Sequence, residues 1–130
     1  MDERQLEELV SARLGADANV AAVYQFGSRA RGTARADSDV DLGVLYGTAP
    51  PATLLGQPFA LQAELASDLG VAVDVVVLNT AAVDLVHRVL RDGRILLERD
   101  RSRRIAFEVK ARNEYFDLLP ILQRYRRKSA

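Results

Sequence analysis

Apolar and polar residues alternate along the chain with two different periods, one typical of helices and the other of strands. Residues 2–14 place Leu6, Val10 and Leu14 at helical spacing, which predicts an amphipathic helix that ends at Gly15. Short apolar runs predict strands over residues 20–26, 39–46, 71–78 and 94–98. Longer amphipathic stretches predict three helices, over residues 53–69, 81–91 and 101–119, and the first of these helices is broken near 56–58.

This order of elements predicts an α/β (α+β) domain in which helices flank a small mixed sheet, and one domain over residues 1–130. The run 71–78 is apolar on both faces except at Asp74, so we expect a central strand there, whereas 94–98 reads as an edge strand. In the last helix we expect the apolar residues to face inward, and Pro120 to kink or end the helix before a basic tail; these apolar residues are Ile105, Val109, Phe116 and Leu119.

Composition narrows the chemistry that the chain can perform. The 130 residues include no cysteine and a single histidine, His87, so any metal site must use oxygen ligands, which suit Mg²⁺, Mn²⁺ or Ca²⁺. The charge is segregated, because residues 1–87 carry 5 basic and 12 acidic side chains while residues 88–130 carry 13 basic and 6 acidic ones. Absence of cysteine and of a long apolar run favours a cytoplasmic protein without a membrane span.

A candidate phosphate site follows the first predicted strand. Gly27 allows a close backbone approach to a ligand, and a helix that begins at Ser28 would direct its N–H groups and a hydroxyl at a phosphate. Arg29, Arg31 and Arg35 add positive charge nearby. Taken alone, a strand followed by Gly-Ser is also an ordinary turn.

Three aspartates on two predicted strands are candidates for metal ligands. Asp39 and Asp41 are two residues apart on a strand, so both point to the same face with backbones about 7 Å apart. Asp74 lies among valines, where a carboxylate is costly to bury unless it is paired or bound to a metal. Exposure at a strand edge or pairing with an arginine would also account for each acid singly. Together with a phosphate cradle, however, three acids indicate two-metal phosphoryl transfer.

These residues resemble a known signature. Gly27-Ser28-Arg29-Ala30-Arg31-Gly32 and Ser38-Asp39-Val40-Asp41-Leu42 are similar to the GSxARG…SDxDL motif of DNA polymerase β-type nucleotidyltransferases. Within that superfamily the match is to minimal nucleotidyltransferases, which pair with HEPN-domain proteins as toxin–antitoxin systems. The family's third acid lies in a later strand, as Asp74 does.

The resemblance implies a role for each residue of the motif. Gly27 and Ser28 would hold the triphosphate, and Arg31 could contact it. Asp39 and Asp41 would bind two Mg²⁺ ions. Asp74 would bind the catalytic metal and help to deprotonate the acceptor. The implied reaction transfers a nucleoside monophosphate, AMP from ATP, to a hydroxyl such as a tyrosine of a HEPN RNase toxin, which would be silenced.

Two other functions stay open at this stage. The chain could modify a small molecule of the aminoglycoside type, or it could neutralise its partner by binding alone. His87 is not part of an Arg-x4–6-His RNase motif, and we expect a structural role for it. The nucleotide, the number of nucleotides transferred, the acceptor, the oligomeric state and direct binding to nucleic acid are not fixed by the sequence.

Overall fold

The computed structural model describes residues 2–30, 32, 39–50 and 58–129, and it places four strands in one mixed sheet. The strands are β1 (Val20–Phe26), β2 (Val40–Tyr46), β3 (Val73–Val77) and β4 (Arg94–Glu98). The helices are α1 (Glu3–Leu14), the single turn α2 (Gly27–Ala30), α3 (Phe59–Leu69), α4 (Val83–Asp92) and α5 (Arg101–Ser129). This arrangement confirms the predicted α+β fold with helices against a small mixed sheet.

The order of strands across the sheet is β3-β2-β1-β4, so β1 and β2 occupy the centre. β1 pairs antiparallel with both β2 and β4, and β2 pairs in parallel with β3. The prediction that 94–98 forms an edge strand is confirmed, but the prediction of a central strand at 71–78 is wrong. Val73 and Val75 on one face of β3 are buried although the strand is at an edge, because α3 packs against it and Gln62 Oε1 accepts a hydrogen bond from Val75 N at 2.7 Å.

Each face of the sheet has its own apolar core. Val40, Leu42 and Val44 of β2 point to the face covered by α1 and α3, as their alternation with Asp39, Asp41 and Gly43 predicts. The opposite face packs Leu45 and Leu78 against Val86 and Val89 of α4 and Ala111 of α5. The second face therefore carries both the helices α4 and α5 and the acidic residues.

Two sequence predictions for α5 are wrong. The helix continues through Pro120 to Ser129 where we expected a kink or an end followed by a tail. Proline removes one backbone donor and fixes a φ that a helix accepts, so the turns on either side keep the helix going. Most of the expected inner stripe faces outward, because Ile105, Val109 and Phe116 are exposed and only Leu119 is half-buried. The core contacts are made instead by Phe107 and Ala111.

Candidate active site

The candidate site lies where β1 ends and β2 and β3 begin. Since β2 runs antiparallel to β1 and parallel to β3, these three ends meet at one edge of the sheet. Asp41 is in register with Phe26, the last residue of β1, and on its other side with Asp74 of β3. The two carboxylates are thus direct neighbours on adjacent strands, whose backbones are about 4.8 Å apart.

Register also places the two acids on the same face of the sheet. Asp41 is half-buried and Asp74 is exposed. Asp39 is exposed, immediately before β2, and shares the alternation of Asp41. Within the described ranges no residue forms an ion pair with Asp74, so pairing with an arginine does not account for this acid. Because Asp74 is exposed, the cost of burying a carboxylate gives no reason to place a metal ion beside it.

Gly27 makes a close approach to the side chain of Asp41, while its predicted approach to a phosphate stays a prediction. Its φ is +77°, a left-handed conformation that residues with a Cβ rarely adopt. A Cβ built at Gly27 would lie 3.0 Å from Asp41 Cγ and closer still to Asp41 Oδ2. The backbone of residue 27 is therefore packed directly on the carboxylate, and only glycine leaves the space for it.

The single turn α2 carries the rest of the predicted phosphate cradle. It begins at Gly27, includes Ser28 and Arg29, and contacts β1, β2 and α4. Both Ser28 and Arg29 are half-buried and engaged in interactions with their surroundings. Arg31 and Arg35 lie outside the described residues, so their contribution stays a prediction.

Sequence reasoning missed a buried polar anchor that holds the end of β1. Gln25 is fully buried, and its Oε1 accepts a hydrogen bond from Arg94 Nε at 2.9 Å. Arg94 also donates to Glu7 at 2.8 Å and to Glu3 at 2.7 Å, so α1, β1 and β4 are tied together two residues before Gly27. The signal in the sequence was a lone glutamine inside the otherwise apolar run VAAVYQF.

His87 has the structural role that the sequence predicts. Its ring stacks on Tyr115 of α5 with centroids 3.5 Å apart and planes 2° from parallel. The contact joins α4 to α5 and involves none of the three aspartates.

The carboxylates at this site could bind a metal ion, although they do not form a complete set of ligands. The described residues include no group of three or more His, Cys, Asp or Glu side chains arranged to hold a metal ion. Asp41 and Asp74 nevertheless fit Mg²⁺, since that ion takes one or two protein carboxylates and completes its shell with water and substrate phosphates.

The described helices include none that is both long enough and apolar enough to cross a bilayer.

A cavity of about 240 Å³ lies between α4 and α5, and its lining includes Val83, Val86, Phe107 and Lys110 but none of the three aspartates. This cavity is therefore distinct from the acidic residues.

Comparison with known families decides the class. The family profile of "Polymerase beta, Nucleotidyltransferase" matches residues 8–102, which include Gly27 and all three aspartates. The chain belongs to the polymerase β-type nucleotidyltransferase family. This membership confirms the resemblance of the GSRARG and SDVDL segments and makes the chain a member of a family of enzymes. A search of curated protein sequences gave no match.

Solved structures give the same fold over the full length of the chain. A chain from a toxin–antitoxin complex with AMP-PNP is 26% identical, with a TM-score of 0.80, and the match covers 99% of this chain and 98% of that one. The MNT antitoxin in complex with a tri-AMPylated Shewanella oneidensis HEPN toxin is 23% identical, with a TM-score of 0.76 and coverage of 97% and 98%. A chain assigned as a minimal nucleotidyltransferase is 40% identical, with a TM-score of 0.56 and coverage of 72% and 95%.

Proposed function

We propose that this chain is an antitoxin that transfers AMP from ATP to a hydroxyl, a tyrosine in our expectation, of a HEPN-domain RNase toxin. The observation that carries the proposal is the packing of Gly27 on Asp41, with Asp74 in register beside it, in a member of the nucleotidyltransferase family. Full-length similarity to a toxin–antitoxin chain that was solved with AMP-PNP supports both the donor and the antitoxin role.

The residues divide the work of the reaction between them. Gly27 and Ser28 bind the triphosphate, with Arg31 as a further phosphate contact. Asp39, Asp41 and Asp74 would hold two Mg²⁺ ions, which would supply positive charge that offsets the charge developing on the phosphates. In this assignment the half-buried Asp41 is held in place by the Gly27 backbone, and the exposed Asp39 and Asp74 are accessible to the nucleotide.

The bonds change in one in-line displacement. The acceptor oxygen attacks the α-phosphorus of ATP and forms an O–P bond, while the bond from that phosphorus to the oxygen bridging to the β-phosphate breaks. Pyrophosphate leaves with the bonding electron pair. We assign the hydroxyl proton to Asp74, which is exposed and lies in register beside Asp41.

Similarity to a known complex supports a protein acceptor. The cavity between α4 and α5 is not lined by any of the three aspartates, so a small molecule bound in it would not contact them. An antitoxin that shares this fold has a tri-AMPylated HEPN toxin as its partner, so a macromolecular acceptor can reach such a site.

The test uses ATP labelled at either the α- or the γ-phosphate. The purified chain is incubated with Mg²⁺, each labelled ATP and the product of the neighbouring gene, which the proposal expects to be a HEPN-domain protein. We expect label on the partner from α-labelled ATP alone, and none with Asp41→Asn. Label from γ-labelled ATP would mean phosphoryl transfer instead. No label from any α-labelled NTP, with a tight complex still formed, would replace the proposal by neutralisation through contact alone. Label on an aminoglycoside instead of the partner would favour a small-molecule enzyme.

A further inference from the structure

The outer face of α5 carries an apolar stripe that the rest of the described chain does not cover. Ile105, Val109 and Phe116 are 43%, 53% and 63% exposed. Their spacing of four and seven residues puts them on one side of the helix. The inward side is formed instead by Phe107 and Ala111, which pack in the core. The helix is therefore apolar on two faces, and folding of this chain uses only one of them.

A basic residue interrupts this stripe. Arg112 lies three residues after Val109 and four before Phe116, so it shares their face of the helix. Its side chain is 52% exposed and approaches Glu108 at 3.6 Å. The whole helix, residues 101–129, carries nine basic and three acidic side chains, a net charge of +6. Four of the nine basic residues, Arg124, Arg126, Arg127 and Lys128, lie beyond the C-terminal end of the stripe, so the positive charge of the helix is concentrated there.

The helix lies outside the part of the chain that defines the family. The family profile ends at residue 102, where α5 has just begun. The minimal nucleotidyltransferase that is 40% identical matches only 72% of this chain although almost all of that chain is covered. The toxin–antitoxin chain, by contrast, matches 99% of this one. The match to a chain from a complex therefore extends over α5, whereas the shorter relative leaves over a quarter of the present chain unmatched.

We propose that the α5 stripe, defined as residues 105, 109, 112 and 116, is the docking surface for an acidic amphipathic helix of the acceptor protein. This proposal rests on the proposed function, since the acceptor is the partner assigned there. Apolar side chains at helical spacing pack into the grooves of a second helix. The net charge of +6 selects a partner surface rich in Asp and Glu.

Two other occupants fit these observations less well. A nucleic acid would be held through phosphates by Lys and Arg, and three exposed aliphatic and aromatic side chains add little to such contacts. A second copy of this chain would bring two helices of charge +6 together, which like-charge repulsion opposes. Both remain measurable outcomes of the test.

The test compares matched substitutions by isothermal titration calorimetry against the acceptor protein identified in the labelling experiment or, if none is labelled, against the product of the neighbouring gene. Val109→Gln and Phe116→Gln remove apolar area from the stripe, and Arg112→Glu reverses its charge. Phe59→Gln is the matched control, because Phe59 is 56% exposed on α3 and undergoes the same chemical change. We expect each stripe variant to raise Kd about tenfold or more, and the control to leave Kd within about twofold.

Further readouts separate the docking surface from a role in folding or catalysis. The melting temperature should stay within a few degrees in all variants, since the substituted side chains are exposed. All titrations are repeated in the Asp41→Asn background. If wild-type protein transfers no AMP but the stripe variants still weaken binding, the proposed function fails and the docking surface stands.

Three results would overturn the docking proposal. The first is binding by the stripe variants that equals that of wild type. The second is self-association of the wild-type chain in sedimentation that the stripe variants lose, which would assign the stripe to a second copy. The third is weaker binding of the stripe variants than of wild type to transfer RNA, with unchanged binding to the partner protein, which would assign the stripe to nucleic acid.

Discussion

Replacing Gly27 by alanine should leave the chain folded but strongly impair transfer. The new Cβ would lie 3.0 Å from Asp41 Cγ and nearer to Oδ2, so the carboxylate must move by on the order of 1 Å to restore normal contacts. Misplacement of a reacting group by that distance costs about 100-fold in rate. The φ of +77° adds about 1–2 kcal/mol of backbone strain to the folded state.

Gly70→Ala is the matched control for this experiment. Gly70 has a φ of +72°, and no atom lies within 4 Å of a Cβ built on it, so it shares the strain without the collision. Urea unfolding should show both variants losing about 1–2 kcal/mol. Transfer of AMP from α-labelled ATP should fall about 100-fold in Gly27→Ala alone. Wild-type transfer by a folded Gly27→Ala protein, or an equal loss in Gly70→Ala, would refute the reasoning.

Three further predictions follow from the same contacts. Arg104→Ala should lower the free energy of unfolding by about 3 kcal/mol, because Arg104 and its partner Glu108 are only 14% and 13% exposed. Arg4→Ala removes the exposed Arg4–Glu8 pair and should lower it by less than about 0.5 kcal/mol. Urea denaturation of both variants measures the difference, and equal losses would contradict the prediction. Burial, reinforced by the charge of Glu108, raises the pKa of Tyr24 to about 12 from 10.0, so its neutral form stabilises the fold fully below pH 10 and this stability is lost as the pH rises through 12. Urea titrations from pH 9 to 12 should show a loss of about 2–3 kcal/mol that Tyr24→Phe lacks, and identical pH profiles would sink the prediction. Asp74→Asn should reduce the transfer rate by about 1,000-fold. It should change the free energy of unfolding by less than about 0.5 kcal/mol, because the side chain is exposed. A folded variant with a near-normal transfer rate would remove Asp74 from the mechanism.

Local patterns in the sequence predicted most of the sheet correctly. Alternation in DVDLGVLY separated Val40 and Leu42 from Asp39 and Asp41, because successive side chains of a strand point to opposite faces of the sheet. The glycine after VAAVYQF predicted a close approach of the backbone. What it approaches, the carboxylate of Asp41, could not be predicted, since strand register depends on pairing between distant residues.

Predictions that depended on tertiary packing were less successful. The valines of β3 indicated a central strand, but a covering helix buries an edge strand equally well. In α5 the periodicity of Ile105, Val109 and Phe116 predicted the inner stripe, because the helix has two apolar faces and the spacing of apolar residues does not show which of them packs in the core. That error is informative, since an outward apolar stripe is what a docking surface requires.

The most direct test of the central claim is the intact mass of the HEPN partner after co-expression with this chain. The account predicts a partner heavier by one or more AMP residues when the wild-type chain is present, and an unmodified partner when the chain carries Asp41→Asn. An unmodified partner beside the wild-type chain, with RNase activity nevertheless silenced, would contradict nucleotidyl transfer as the basis of neutralisation.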